Sequence, residues 1–297
     1  VLTISTLPGE RASAAGGQMS SFSSWGAAPD LSLEPDIAGV GGNVYSCYDG
    51  GTYGLMSGTS MSAPQVSGVA ALVMQYLHEQ FPDAAKGELR EMANALMMSN
   101  AEVIISSDSG LEASPRQQGA GLVNAAAAVT AESYLTVDGG KPKAEMGDSA
   151  DGTFSFSFEI HNFGDQEKSY TLDASLLTET VASDGYNYYM YGMETALSGA
   201  VTFSPSEVVV PANGTASVNV TINLSEEDKA FFAEYYPNGG YVEGYIYLNS
   251  LDDASLNLPF LGFYGDWTEP PVFDTAYWYD NSFWGVAPVD GIPEGNE

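Results

Sequence analysis

The chain has 297 residues, with 8 Lys+Arg against 39 Asp+Glu for a formal charge of −31, and 44% hydrophobic and 12% aromatic residues. That apolar content excludes a disordered acidic tail, and the length predicts about two domains, each with its own core. The scarcity of basic side chains excludes nucleic acid as a partner, and the longest apolar stretch, 68–77, is well short of the ~20 residues a bilayer span needs, so no membrane insertion is expected.

Val1 is not a start methionine and no leader-like segment follows it, so the chain is expected to begin inside a longer product. Composition divides it into residues 1–133, Ala- and Met-rich with helical spacing, and residues 134–267, rich in Phe, Tyr, Val and Thr with alternating pattern; residues 268–297 read as a tail or the start of a further domain. The lone Cys47 cannot form an internal disulfide and is expected to be a small buried apolar side chain. Residues 61–76 are apolar or small almost all round, which predicts a buried helix. Leu89, Met92, Ala93, Leu96 and Met97 fall at i, i+3, i+4, i+7 and i+8, predicting a surface amphipathic helix. A third helix is expected over 123–131, after the Gly119-Ala-Gly121 turn.

In the second part Phe154, Phe156, Phe158 and Ile160 alternate with polar residues, the period-two signal of a strand with one buried face. Strand-like runs follow at 169–174, 208–210, 216–222, 241–248 and 256–263, separated by Gly, Pro, Asn and Asp, and together they predict an antiparallel β-sandwich. One short helix interrupts them over 225–235, where Ser225-Glu-Glu-Asp228 resembles a capping box. The acidic runs 226–228 and 252–253 lack the spaced ligands of a calcium loop and read as solvated faces, so no metal or cofactor is expected.

The residues most suggestive of chemistry are Gly58-Thr59-Ser60-Met61-Ser62-Ala63-Pro64, directly before the first predicted helix. A serine at a helix start exposes its hydroxyl beside an unpaired backbone N–H, in a place where the helix dipole favours negative charge. That suits a nucleophile with a built-in oxyanion donor, and Pro64 is expected within the first turn, where an N–H is dispensable. The heptapeptide resembles the nucleophile motif of subtilisin-like serine peptidases. Ser20–Gly26 (SSFSSWG), Glu34–Ile37 (EPDI) and Pro115–Asn124 (PRQQGAGLVN) stand in the order of that family's corresponding segments, although Glu34 replaces the usual Lys and Gly39-Val-Gly41 the usual APG. In the second part, 158–162 (FEIHN), 210–214 (VPANG), 241–246 (YVEGYI) and 259–267 (PFLGFYGDW) resemble the fibronectin type III-like domain that follows the catalytic domain in lactocepin-like cell-envelope subtilases.

The resemblance implies the C-terminal part of an α/β subtilisin-like catalytic domain followed by an all-β fibronectin type III-like sandwich. It implies a serine endopeptidase acting on extracellular protein or peptide substrates, secreted or wall-associated in a Gram-positive-like bacterium. Ser60 would be the nucleophile, with Gly58, Thr59 and Met61 forming the adjoining loop. A serine of this kind needs a histidine base oriented by a carboxylate. Of the two histidines, His78 lies 18 residues further along Ser60's own helix, roughly 27 Å away, and His161 falls on the solvent face of a strand in the other domain. Asn43 reads as a loop residue. The base and its Asp are therefore expected from an N-terminal remainder of the same peptidase, and the isolated chain is expected to be inactive. The competing reading is a catalytically incomplete surface protein whose sandwich serves as a binding or spacer module; an esterase ranks last because the G-x-S-x-G elbow is absent.

Overall fold

A computed structural model describes residues 16–183, 188–236, 238–250 and 254–268. The first part opens with irregular chain and a two-stranded hairpin, β1 (Val44–Tyr48) and β2 (Thr52–Met56). Four helices follow: α1 (Thr59–Gln80), α2 (Lys86–Ser99) and the single turns α3 (Pro115–Gln118) and α4 (Ala125–Ala128). The helix expected over 123–131 is thus only α4, capped by the Asn124 side chain, which accepts from Ala127 N at 3.0 Å.

The remaining elements are β3 (Ser133–Thr136), β4 (Ala144–Ser149), β5 (Thr153–Asn162), β6 (Lys168–Ser183), β7 (Tyr188–Ala196), β8 (Ala200–Ser204), β9 (Glu207–Val210), β10 (Gly214–Asn223), α5 (Glu226–Tyr235), β11 (Gly240–Asn249) and β12 (Leu256–Tyr264). They form two sheets, one ordered β3-β5-β10-β8 and the other β4-β12-β11-β6-β7 with β9 also paired to β6. All these pairs are antiparallel except β12 with β4. The core between the sheets joins Phe158, Ile160, Val218 and Val220 of the first to Val242, Ile246, Leu258 and Phe260 of the second. Full burial of each such side chain contributes about 1.5–3 kcal/mol, which makes this alternation the main force closing the sandwich.

The two sheets bury differently. β5 and β10 alternate exposed and buried residues, as period two requires of a strand with one wet face. Strand β12 is buried from Leu256 to Phe263 and β11 is buried nearly throughout. Their core-facing residues meet the first sheet, while Leu261 and Phe263 on the opposite face pack on Leu31 and Leu33 of the first part. Helix α2 is drawn into the same junction. Its expected stripe is correct, with Leu89, Ala93, Leu96 and Met97 buried, but every residue from Ala95 to Asn100 is also buried, so it is not a surface helix at its C-terminal end. There Ser99 Oγ accepts from Leu135 N at 2.9 Å, and Asn257 Nδ2 of β12 donates to Ala101 O at 2.8 Å.

Three further expectations are corrected. Helix α1 buries only Val73 and Leu77, leaving Leu72 53% exposed, because among the described residues its packing partners lie on one side. Cys47 is exposed, because its hairpin stands clear of every buried cluster. The acidic run 226–228 is not wholly a solvated face: Asp228 is buried and completes the capping box of α5 with Ser225. The residues 252–253 and 269–297 lie outside the described residues.

Asp228 also accepts from Ser198 N at 2.8 Å, so its carboxylate satisfies both the helix start and the chain before β8. Asp228→Ala should lower stability by about 1–3 kcal/mol in urea unfolding, with Asp228→Asn recovering only part of it, because the amide oxygen can accept from one of the two N–H groups while its NH2 faces the other. His161 is less open than its strand position suggests. Its ring stacks on Tyr134 at 4.7 Å and its Nε2 sits 2.9 Å from Thr136 Oγ1. Burial holds it below the ordinary 6.5, outweighing the opposing pull of Glu159. A base with a depressed folded pKa binds fewer protons folded than unfolded, so stability should fall as pH drops below 6.5 toward the folded value. His161→Gln should flatten that part of the pH dependence of the urea midpoint.

Candidate active site

Ser60 is the second residue of α1 and is exposed, as is Thr59, while Met61 is half-buried. The helix begins at Gly58, whose backbone (φ 153, ψ 162) lies in a region essentially restricted to glycine. Its carbonyl accepts from Met61 N at 3.0 Å, which closes the first turn and leaves the Ser60 N–H without a helical acceptor. Gly58, Thr59, Ser60 and Met61 thus lie together at one helix start. Pro64 is not in the first turn but inside α1, where its missing N–H leaves the Ser60 carbonyl without its i+4 donor.

The segment 39–43 lies against this helix start. Gly58 N donates to Gly41 O at 2.9 Å, and Asn43 N donates to Ser57 Oγ at 2.8 Å. A Cβ on Gly39 would stand 2.7 Å from both Ser62 Oγ and Val66 Cγ2, and one on Gly41 would stand 2.8 Å from Gly58 O. Of the positions that depart from the family pattern, Gly39 is thus in close contact with α1, while Gly41 keeps the glycine of that pattern and rests on Gly58 O. Asn43 is a loop residue, as expected, with φ 53. Beside this contact opens a cavity of about 880 Å³, lined by Gly39, Gly41, Thr59, Ser62 and Val66 on this side and by the 16–24 segment on the other.

Neither histidine joins Ser60. His78 is in the last turn of α1 and His161 is in β5, so neither imidazole stands beside the Ser60 hydroxyl. Among the described residues no group of three or more His, Cys, Asp or Glu is placed to hold a metal ion.

Sequence reasoning missed a second centre, where the first part meets the sandwich. The buried Arg116 of α3 forms a bidentate pair with Glu243 of β11 (Nε to Oε2 2.9 Å, Nη2 to Oε1 3.2 Å) and a further pair with Glu179 of β6 at 3.0 Å. Its guanidinium lies over the Tyr241 ring, 3.8 Å from the centroid, and 5.6 Å from that of Trp25. Burial alone would depress the guanidinium, but Glu243 and Glu179 overcome this and hold it above its ordinary value. Burial raises Glu179 in spite of Arg116. Ser114 Oγ donates to Glu243 at 2.8 Å, and the buried Tyr245 hydroxyl donates toward Gly119 O (3.0 Å) and Ala113 O (3.2 Å). The residues alone offer only a charged side chain inside the PRQQG turn and a glutamate within an otherwise apolar strand-like run, with nothing to pair them.

Comparison with known proteins agrees with both halves. Residues 3–121 match the subtilase family and residues 144–261 match the Fn3-like domain. The chain is a subtilase-family segment followed by an Fn3-like domain. It is 31% identical over 284 residues to the C5a peptidase of Streptococcus pyogenes, an alignment covering 92% of this chain and 23% of that protein. It is 31% identical over 291 residues to the PIII-type proteinase of Lactococcus lactis subsp. cremoris, covering 92% of this chain and 14% of that one. The chain therefore spans less than a quarter of the length of these relatives. Among solved structures, the PapD-like domain 7 of human CEP192 overlaps 46% of this chain and 86% of that domain at a TM-score of 0.31 and 11% identity.

Because the Gly41 contact is with backbone rather than with a flexible side chain, Gly41→Ala should displace the 39–43 segment from α1. The expected cost is about 1–3 kcal/mol, read as a lowered Tm together with faster amide exchange at Gly58.

Proposed function

We propose that this chain is the nucleophile-bearing portion of a subtilisin-like serine endopeptidase of the cell envelope. The observation that carries this reading is the GTSMSAP segment opening α1, with Ser60 exposed at the helix start beside its own unpaired N–H. In the complete protein the Ser60 hydroxyl attacks the carbonyl carbon of a peptide bond. A histidine from outside this chain takes its proton, and the oxyanion is held by the Ser60 N–H in the positive field of the helix end. The histidine then returns the proton to the leaving amine, and water releases the acyl group from Ser60 by the reverse sequence.

On this reading residues 1–133 belong to an α/β peptidase domain, 134–267 form the sandwich, and 268–297 are a tail or the start of a further domain. The uncovered side of α1, with Ala63, Ala71 and Leu72 exposed, is the face that the remainder of the peptidase domain covers. The same remainder supplies the histidine and aspartate. The relatives named above are peptidases and proteinases of streptococci and lactococci, which supports an extracellular, protein-cleaving role.

A fluorophosphonate should label the complete protein at Ser60, and Ser60→Ala should abolish both labelling and peptide hydrolysis. Labelling that persists in the alanine variant would sink the assignment. The chain by itself should show neither reaction at a measurable rate.

A further inference from the structure

The buried centre around Arg116 and the start of α1 are joined by an unbroken series of short contacts. From the sandwich side, Glu243 fixes the Arg116 side chain and Tyr245 fixes the carbonyls of Ala113 and Gly119, so β11 holds α3 and the turn after it at both ends. That turn in turn holds the segment before the glycine pair. Ala120 N donates to Asp36 O at 3.0 Å, Ala38 N donates to Gly121 O at 2.9 Å, and Val123 N donates to Ala38 O at 2.9 Å. The fit leaves no slack, since a Cβ on Gly119 would stand 2.4 Å from the Pro35 and Asp36 carbonyl oxygens. From Ala38 the chain passes directly to Gly39 and Gly41, which rest on Ser62 and on Gly58.

We propose that the Fn3-like sandwich is part of the frame that positions the Ser60 nucleophile, with Arg116 as the positioning residue that transmits the location of β11 to the start of α1. This rests on the reading of Ser60 as nucleophile. The choice of residue follows from chemistry: a planar guanidinium bound by two parallel hydrogen bonds to Glu243, capped by a tyrosine ring and closed by Glu179, has one orientation, whereas an ammonium would rotate. Arg116 touches no substrate and acts only through the backbone it anchors. Its O accepts from Gly26 N at 2.8 Å, so the same anchor also fixes the end of the SSFSSWG segment.

The test uses the complete protein and compares Arg116→Met, Arg116→Lys, Tyr245→Phe and the exchange Arg116→Glu with Glu243→Arg. Amide exchange is followed at 58–61 and in β5 and β10, alongside the rate of fluorophosphonate inactivation and the kcat and KM for a peptide. Arg116→Met should speed exchange at 58–61 and lower kcat and the inactivation rate about tenfold to a hundredfold, with KM within about twofold and β5 and β10 still protected. Tyr245→Phe and Arg116→Lys should shift both readouts less in the same direction, and the exchanged pair should recover part of the loss. Unchanged exchange at 58–61 with unchanged inactivation in Arg116→Met would overturn the proposal. So would losses that track loss of protection in β5 and β10 across all variants, the mark of a merely stabilising contact. If Arg116→Met does not fold, Tyr245→Phe decides by the same criteria. If the unmodified protein is not labelled at Ser60, the nucleophile assignment fails on its own, and exchange at 58–61 still decides the frame.

Discussion

A guanidinium cannot shed its proton within the range a protein survives, so Arg116 can be buried only where carboxylates compensate it, and that requirement fixes how the two parts of the chain meet. Glu243 meets it with two parallel hydrogen bonds, and Glu179 completes it from the neighbouring strand. Such a cluster is weak support for stability, because desolvating three charges offsets much of their attraction, and well-packed apolar side chains could serve as well. What apolar residues could not supply is register. Removing one partner leaves an unpaired buried charge at a cost of about 3–5 kcal/mol, so a docking displaced by even one residue is strongly penalised.

That constraint explains the asymmetry of the sandwich. An isolated sandwich has two wet outer faces, and β5 and β10 obey this with clean alternation. Strands β11 and β12 do not, because their second face is an interior surface between sheet and helices. Along β11 the outward residues Tyr241, Glu243, Tyr245 and Tyr247 all engage the first part: a ring over Arg116, a carboxylate on it, and two hydroxyls donating to Ala113, Gly119 and Glu112. These polar tips on large side chains satisfy carbonyls and carboxylates that the interface buries, as close packing around a turn requires. Lys143 performs the same service nearby, donating to Leu33 O at 2.6 Å and pairing with Glu145 at 3.1 Å.

How much of this could be read from the residues follows from range. Local period and local chemistry were sufficient for β5, β10, the α2 stripe, the capping box at Ser225 and the placement of Ser60 at a helix start, because each is decided within a few residues. What failed was decided by partners distant in sequence. The run 241–248 reads as a strand, but nothing in it says that Glu243 is buried, since its partner lies 127 residues away. Residues 61–76 read as buried because they are apolar, yet burial depends on what else is present to cover them. Cys47 was assigned by residue type alone, which gives way when a hairpin has no neighbour. The short elements β3, β4 and β8 are not legible in the residues, because their pairing, rather than their length, makes them strands.

The chemistry at Ser60, on the proposed reading, divides the same way. A helix N-terminus presents its dipole and its free N–H wherever the helix lies, so the oxyanion side of the reaction is encoded locally. A hydroxyl attacks only from within a narrow range of positions, so its usefulness depends on where the helix is held relative to groups from elsewhere. Here the start of α1 is held by backbone, through Gly41 O on Gly58 N and through glycines that leave no room for adjustment. The need for glycine at 39 and 41 is thus a requirement of position rather than of flexibility: without side chains Gly41 rests on the Gly58 main chain and Gly39 on the Ser62 and Val66 side chains, and the contact continues through Ala38 and Gly121 to the anchored turn at Arg116. On that reading a serine with half of its catalytic apparatus in its own backbone depends for the other half on geometry, and the hydrogen bonds and close glycine contacts that run from the sandwich to Gly58 are the path by which that geometry would be carried.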